Sequence, residues 1–158
     1  RHADAQATAG YRAAMALFEQ LGDRWGQALC LFGLAHIAAQ AQQYADAVAL
    51  ATASLAIYQE LHAPWRVTIT RQQLAAYTAA MGDLDAAARY HQENLDAALE
   101  NGERGAAANC LARLGELAQR RGDPGTARGY YRQSLDLYRQ IGDARGAAGA
   151  AQLLAELG

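Results

Sequence analysis

A repeat of 40 residues constrains this chain more than any other feature. Short breaks recur at that spacing, at positions 21–23, 61–63, 101–103 and 141–143. A second set of breaks falls halfway between them, at 42–44, 82–84 and 122–124. Each half-period is about 20 residues, enough for one helix and a tight turn. The repeat therefore predicts a series of antiparallel helical hairpins.

The residues at the breaks supply a mechanism for ending and starting helices. Glycine adopts the left-handed conformation that ends a helix, and the aspartate that follows can cap the next one. Pro64 and Pro124 stand where a first helical residue tolerates proline. We expect one solenoid fragment over 1–158, in which helices that open a hairpin and helices that close it alternate. The segments are a closing helix at 4–21, hairpins at 24–61, 64–101 and 104–141, and an opening helix at 144–157.

Composition agrees with an all-α chain of about eight closely packed helices. Alanine supplies 40 of the 158 residues, and it is the best helix former while burying little area. Small residues also recur in register along the repeat. One such column is Ala7, Ala47, Ala87 and Ala127; another is Ala14, Ser54, Asn94 and Ser134. Small residues at fixed positions let helices approach closely.

These columns resemble the tetratricopeptide repeat. The resemblance rests on Leu114-Gly115, on Ala127 twelve residues later, and on Ser134 seven residues beyond that. The family's aromatic position is Tyr11, His91 and Tyr131, with Ala51 departing from it. The 40-residue unit, longer than the common one, resembles the sub-class in kinesin light chains, polarity adaptors and bacterial ATPase-type transcriptional regulators. The resemblance implies a right-handed superhelical solenoid.

Charge and cysteine usage narrow the possible partners and location. The formal charge is −2 and all 14 basic residues are arginine, so general attraction to nucleic acid or an anionic membrane is not expected. Cys30 and Cys110 occupy one column two repeats apart, too far for a disulfide, and are interpreted as small buried hydrophobes. We predict a cytoplasmic protein.

Catalytic and metal-binding patterns are weak. No two histidines have the four-residue spacing of a helical metal site, and Ser54 and Ser134 are explained by packing. The chain has no nucleophile elbow and no glycine-rich phosphate loop. We predict no catalytic residue, no metal and no cofactor. The periodic aromatic residues, including Trp25 and Trp65, are interpreted as core.

The best functional candidate follows from the resemblance. In tetratricopeptide arrays the first helix of each hairpin lines a concave groove. Helical spacing selects the positions that face away from the leucine-small seam. The predicted groove residues are Phe32, His36, Gln72, Gln73, Asn109, Arg113, Glu116 and Arg120. Amides and guanidinium groups suit the backbone and carboxylates of an extended peptide.

The leading hypothesis is a non-catalytic scaffold that binds a protein or peptide, or another domain of its own chain. The resemblance implies the sensor region of a larger bacterial signalling or transcription-regulatory protein. One alternative is a receptor for a small molecule or signalling peptide, with Phe32, His36 and Tyr77 at its apolar end. Another is a self-assembling array, because Leu153, Leu154 and Leu157 would normally be covered by a following helix. We expect the natural protein to continue in both directions.

Overall fold

A computed structural model describes residues 2–158 of the chain and the side chains of residues 5–158. The described residues form eight α-helices and contain no strand, which confirms the all-α prediction. The superhelical hand stays a prediction. The helices are α1 (His2–Leu21), α2 (Arg24–Gln40), α3 (Tyr44–Glu60), α4 (Pro64–Ala80), α5 (Leu84–Glu100), α6 (Arg104–Arg120), α7 (Pro124–Gln140) and α8 (Ala144–Glu156).

Each predicted break contains one residue in the left-handed region. Five of these residues are glycines, from Gly22 (φ 67°) to Gly142 (φ 72°). At two turns the same conformation is adopted by Gln42 (φ 61°) and His62 (φ 51°), where a side chain makes it less favourable. The conformational freedom of glycine therefore accounts for five of the seven turns between helices. The other two turns are located by their place in the 40-residue repeat.

Aspartate residues cap α2, α7 and α8. The Asp23 carboxylate accepts a hydrogen bond from the Gly26 N–H at 2.9 Å, and Asp143 accepts one from Gly146 at the same distance. Asp123 accepts from both the N–H and the hydroxyl of Thr126, which lowers the pKa of its carboxyl group. These caps satisfy donors that the helix starts leave unpaired.

The chain divides into two compact units, Arg1–Asp83 and Leu84–Gly158. In the first unit α1 packs on α2, α2 on α3 and α3 on α4. In the second unit α5 packs on α6, α6 on α7 and α7 on α8. The first unit has a core around Ala28, Ile57 and Tyr58. The second has one core around Leu111 and Leu114 and another in which Leu153, Leu154 and Leu157 pack on Ala118, Ala127 and Tyr131.

The small-residue columns form the tight contacts within each unit. Ala47 and Ala127 are fully buried. The Ser54 hydroxyl donates to the Ala28 carbonyl at 2.8 Å, and the Ser134 hydroxyl donates to the Ala108 carbonyl at 2.7 Å. Both bonds cross between the two helices of a hairpin over the same sequence separation. The equivalence of these repeats thus extends to single hydrogen bonds.

Two sequence interpretations have different outcomes. Cys30 and Cys110 are both buried and free, as predicted, and burial raises the pKa of each thiol. The interpretation of Trp25 and Trp65 as core residues is wrong, because they are 45% and 66% exposed. Recurrence at the repeat period fixes a column but does not say which face of the helix that column occupies.

No helix in the described part of the chain is long and apolar enough to span a membrane.

Candidate functional site

The predicted groove residues lie on the solvent-facing side of the first helices. His36, Gln72, Asn109, Arg113 and Arg120 are exposed. Phe32, Gln73 and Glu116 are half-buried. The helical spacing therefore selected accessible positions on α2, α4 and α6. Whether these residues bind a ligand stays a prediction.

In the first unit the predicted residues are mostly engaged locally or partly enclosed. His36 Nε2 lies 3.2 Å from the Gln40 amide nitrogen, one turn further along α2. The side-chain amide oxygen of Gln73, Oε1, is buried and has no hydrogen-bond partner among the described residues. Tyr77, predicted at the apolar end of a small-molecule pocket, is only 7% exposed and belongs to the core instead.

In the second unit three predicted residues line one concavity of about 330 Å³. Asn109, Arg113 and Glu116 contribute to it from one face of α6, at successive helical turns. The rest of the lining comes from the end of α7, the turn after it and the part of α8 from Arg145 to Leu153. The lining residues are Asn109, Ala112, Arg113, Glu116, Tyr138, Asp143, Arg145, Gly146, Gly149, Ala150 and Leu153. Arg120 does not line this concavity and has an interaction of its own.

The charges in the concavity balance. Arg113 donates to both Glu116 carboxylate oxygens, at 2.9 and 3.1 Å. Both side chains are substantially exposed, so the pair contributes less than about 1 kcal/mol to stability. Asp143 is held as the cap of α8. A weak ion pair can exchange for contacts with a ligand, so the Arg113 guanidinium is available at small cost.

His91 extends this charge network from α5. It occupies the family's aromatic position and is half-buried. Burial lowers the pKa of His91, the positive charge of Arg113 lowers it further, and Glu116 opposes the shift. The lowered pKa favours the neutral imidazole, so a second positive charge beside Arg113 is disfavoured.

A second exposed feature lies in the first unit. The Arg66 guanidinium carbon is 5.0 Å from the centroid of the Trp65 ring, 5.7 Å from that of Trp25 and 5.8 Å from that of Tyr58. The Trp25 and Tyr58 rings meet edge to face, with centroids 5.5 Å apart. We call these four residues the aromatic–arginine cluster. Distances of this size are those of cation–π contacts.

Sequence reasoning missed both the far wall of the concavity and this cluster. Arg145 shares a repeat column with Trp25 and Trp65, at the second residue of a first helix. Asp143 was recognised as a cap but not as lining a site. The available signal was a column directly after the turn that holds large side chains at Trp25, Trp65 and Arg145 but glycine at Gly105. From the sequence alone, a column of surface residues could not be distinguished from a column of core residues. The distinction depends on the direction in which each helix leaves its turn.

The chain is similar to known tetratricopeptide proteins. Residues 66–140 match the tetratricopeptide repeat family model, which confirms the resemblance seen in the sequence. No curated protein matches the chain in sequence.

Two solved structures are similar over nearly the whole chain. The crystal structure of BtubC (BKLC) from P. vanneervenii is 20% identical and superposes with a TM-score of 0.76 over 98% of this chain and 65% of its own. The crystal structure of the apo form of RapI is 14% identical, with a TM-score of 0.86 over 99% of this chain and 44% of its own. The chain thus spans less than two thirds of either protein. At these identities the likeness shows the fold.

Proposed function

We propose that this chain is a non-catalytic scaffold that binds an extended peptide segment, supplied by another protein or by another domain of its own chain. The observation that carries the proposal is the concavity of the second unit. Asn109, Arg113 and Glu116 line it from α6, and Arg145 and Leu153 line it from α8. Repeat arrays built from helices use such preformed surfaces for binding.

The chemistry of the concavity fits a peptide better than a highly charged ligand. Two guanidinium groups and two carboxylates leave no net charge, while the Asn109 amide can both donate to and accept from a peptide backbone. Leu153 and Ala150 offer apolar contact beside these polar groups. Since the lining stands on helices rather than on a long loop, binding orders few backbone residues.

The finer context is part of the same proposal. The 40-residue unit resembles the arrays of bacterial ATPase-type transcriptional regulators, and both solved relatives are longer than this chain. We propose a sensor or interaction region of a larger cytoplasmic signalling or transcription-regulatory protein. In the first unit we propose a binding surface of its own on the first helices, formed by the exposed His36 and Gln72 and the half-buried Phe32 and Gln73.

The test uses a displayed library of short linear peptides selected against the purified chain. Selected peptides are then titrated calorimetrically against the parent and against Arg113→Glu/Arg145→Glu. We expect the double charge reversal to weaken binding about 10- to 100-fold, as for the loss of charge-assisted hydrogen bonds. Equal helicity by circular dichroism establishes that the variant is folded.

The matched control is Arg132→Glu, which reverses an exposed charge on α7, outside the concavity. It should bind like the parent. If the selected peptides bind the double variant and the parent equally, the concavity is not the site. If no peptide is selected at all, the peptide-binding proposal fails.

One observation favours a small-molecule receptor as a second candidate. The concavity volume of about 330 Å³ reaches the lower end of the range for ligand pockets, about 300 to 1,000 Å³. Thermal unfolding in the presence of a metabolite panel separates the two functions. A saturable rise in Tm with one low-mass compound, abolished by Arg113→Glu/Arg145→Glu, would favour the receptor.

A further inference from the structure

We propose that the aromatic–arginine cluster of the first unit is a docking surface for an acidic protein segment, one of whose carboxylates binds Arg66. The cluster comprises Trp25, Tyr58, Trp65 and Arg66, all within Arg1–Asp83. It shares no residue with the concavity of the second unit, so this inference does not rest on the proposed function.

The geometry places a cation among three rings. Tyr58 is fully buried and forms the floor, while Trp25 and Trp65 stand as partly exposed walls. The Arg66 guanidinium lies 5.0 to 5.8 Å from the three ring centroids. Its neighbours in the chain, Ala63 and Val67, pack against the core that contains Tyr58. Because its helix and its ring contacts orient the guanidinium, little side-chain entropy is lost when an anion binds.

Arg66 also differs in size from the residues at the equivalent position of the other repeats. In two other repeats the residue eight positions after the second-helix aromatic is glycine. A Cβ at Gly26 would overlap the Phe18 ring, and a Cβ at Gly146 would overlap the Tyr138 ring. In the remaining repeat the equivalent pair is Ala98 and Ala106. A large cationic side chain opposite Tyr58 is therefore not what packing requires.

The exposure of the two tryptophans supports an interface. Trp65 leaves 66% of its surface in solvent, and Trp25 leaves 45%. Tryptophan and arginine, together with tyrosine, are enriched among the residues that dominate protein interfaces. Here both types occur together in the first turns of α2 and α4. A partner would bury the Trp65 ring and reach Arg66 in the same contact.

Charge complementarity identifies the partner as anionic. No carboxylate among the side chains of residues 5–158 pairs with Arg66, and its Nε is buried without a hydrogen-bond partner there. The neighbouring Arg24 is already paired with Glu60 at 2.7 Å. Since the rings are occupied by the protein's own cation, the cluster is not a cage for a methylated lysine.

One available guanidinium matches one carboxylate. A carboxylate carries a single charge and accepts two parallel hydrogen bonds from an arginine. Phosphorylated segments are generally bound by several arginines, whereas the aromatic–arginine cluster contains a single one, Arg66. An acidic residue next to an apolar one, which lies on the exposed Trp65 ring, therefore fits the cluster best.

The test exploits the two tryptophans of the chain, both of which belong to the cluster. Their indole N–H groups give two separate signals in a heteronuclear NMR spectrum of the full chain. The probes are two mixtures of short synthetic peptides that differ only in a fixed central glutamate or glutamine, flanked by leucine and randomised elsewhere. We expect the glutamate mixture to shift both signals saturably at concentrations below about 1 mM.

Two substitutions locate the effect. Arg66→Gln should weaken binding about tenfold or more through loss of the charge-assisted bonds. Trp65→Ala, at an exposed ring, should weaken it by a similar factor while leaving the helicity unchanged. Arg132→Gln, which removes an exposed arginine of the second unit, is the control and should bind like the parent.

Three outcomes would overturn the proposal. They are equal shifts with the glutamine mixture, binding that survives Arg66→Gln, and no saturable shift with either mixture. A phosphoserine mixture that binds more tightly than the glutamate mixture would assign the cluster to phosphorylated partners instead. Indole signals that shift with protein concentration alone, together with a doubled mass in sedimentation, would assign it to a second copy of this chain.

Discussion

The two units of the chain share one packing pattern and present different surfaces. In each unit a buried serine donates to a carbonyl on the facing helix, Ser54 to Ala28 and Ser134 to Ala108. In each unit a fully buried alanine occupies the same column, Ala47 or Ala127. Yet the first unit exposes Trp25 and Trp65 beside the half-buried Arg66, whereas the second forms a polar concavity around Arg113.

The difference shows where the repeat constrains the chain and where it does not. A position between two helices must fit a gap set by the backbone, so its size recurs from repeat to repeat. A position that faces solvent has no such gap to fill, so its chemistry can vary. Specific surfaces can therefore arise in equivalent columns, such as Trp25, Trp65 and Arg145, without disturbing the core.

The largest expected effect tests whether the buried columns are equivalent. Ala47→Leu and Ala127→Leu should each overfill a closed contact and lower the free energy of unfolding by about 1–3 kcal/mol. Urea unfolding is followed by circular dichroism for the whole chain. It is followed by tryptophan fluorescence for the first unit, which contains both tryptophans.

Ala56→Leu is the matched control, because Ala56 is exposed on the same helix as Ala47. It should change stability by less than about 0.5 kcal/mol. If one of the two buried substitutions proves as harmless as Ala56→Leu, the columns of the two units are not packed alike.

A smaller effect tests the shared hydrogen bond. Ser54→Ala and Ser134→Ala each remove one donor to a carbonyl, and we expect similar losses of about 0.5–1.5 kcal/mol. The same urea titrations measure both. A loss in one unit and none in the other would mean that the equivalence ends at backbone geometry.

The smallest expected effect is a pH dependence of stability that arises in the second unit. Burial and the Arg113 charge lower the pKa of His91 in the folded chain, so below about pH 6.5 the unfolded state binds the proton more readily. Stability should therefore fall as the pH decreases through that value and level off below the folded pKa. The loss should appear in circular dichroism more than in tryptophan fluorescence.

His91→Gln should lose this part of the pH dependence, because glutamine does not titrate. His36→Gln is the comparison, since His36 is an exposed histidine of the first unit. A pH profile that changes with His36→Gln and not with His91→Gln would contradict the assignment.

The sequence predicted the fold in detail because helix ends depend on local chemistry. The 40-residue period placed all seven turns, and the glycine at most of them has the positive φ that was expected. The aspartate caps at Asp23, Asp123 and Asp143 also followed from neighbours in the chain. Even the turns at Gln42 and His62, which lack glycine, were located by register with the other repeats.

The candidate site was predicted only in part. Helical spacing identified exposed positions on the first helices, among them Asn109, Arg113 and Glu116. It did not show that α8 and the turn before it complete a concavity with α6, because that depends on how three helices pack together. It also gave Phe32, His36, Gln72 and Gln73 the same standing, although the structure places none of them in that concavity.

The sequence by itself determined the helices, their turns and the small residues that let them approach, since these follow from interactions between near neighbours in the chain. Only the tertiary structure decided that Trp25 and Trp65 lie at the surface around Arg66, and that Arg113 and Arg145 line one concavity. Exposure and convergence depend on the angle at which each helix leaves its turn and on the bulk of the side chains it meets. The repeat period specifies neither the helix angles nor the bulk of the neighbouring side chains.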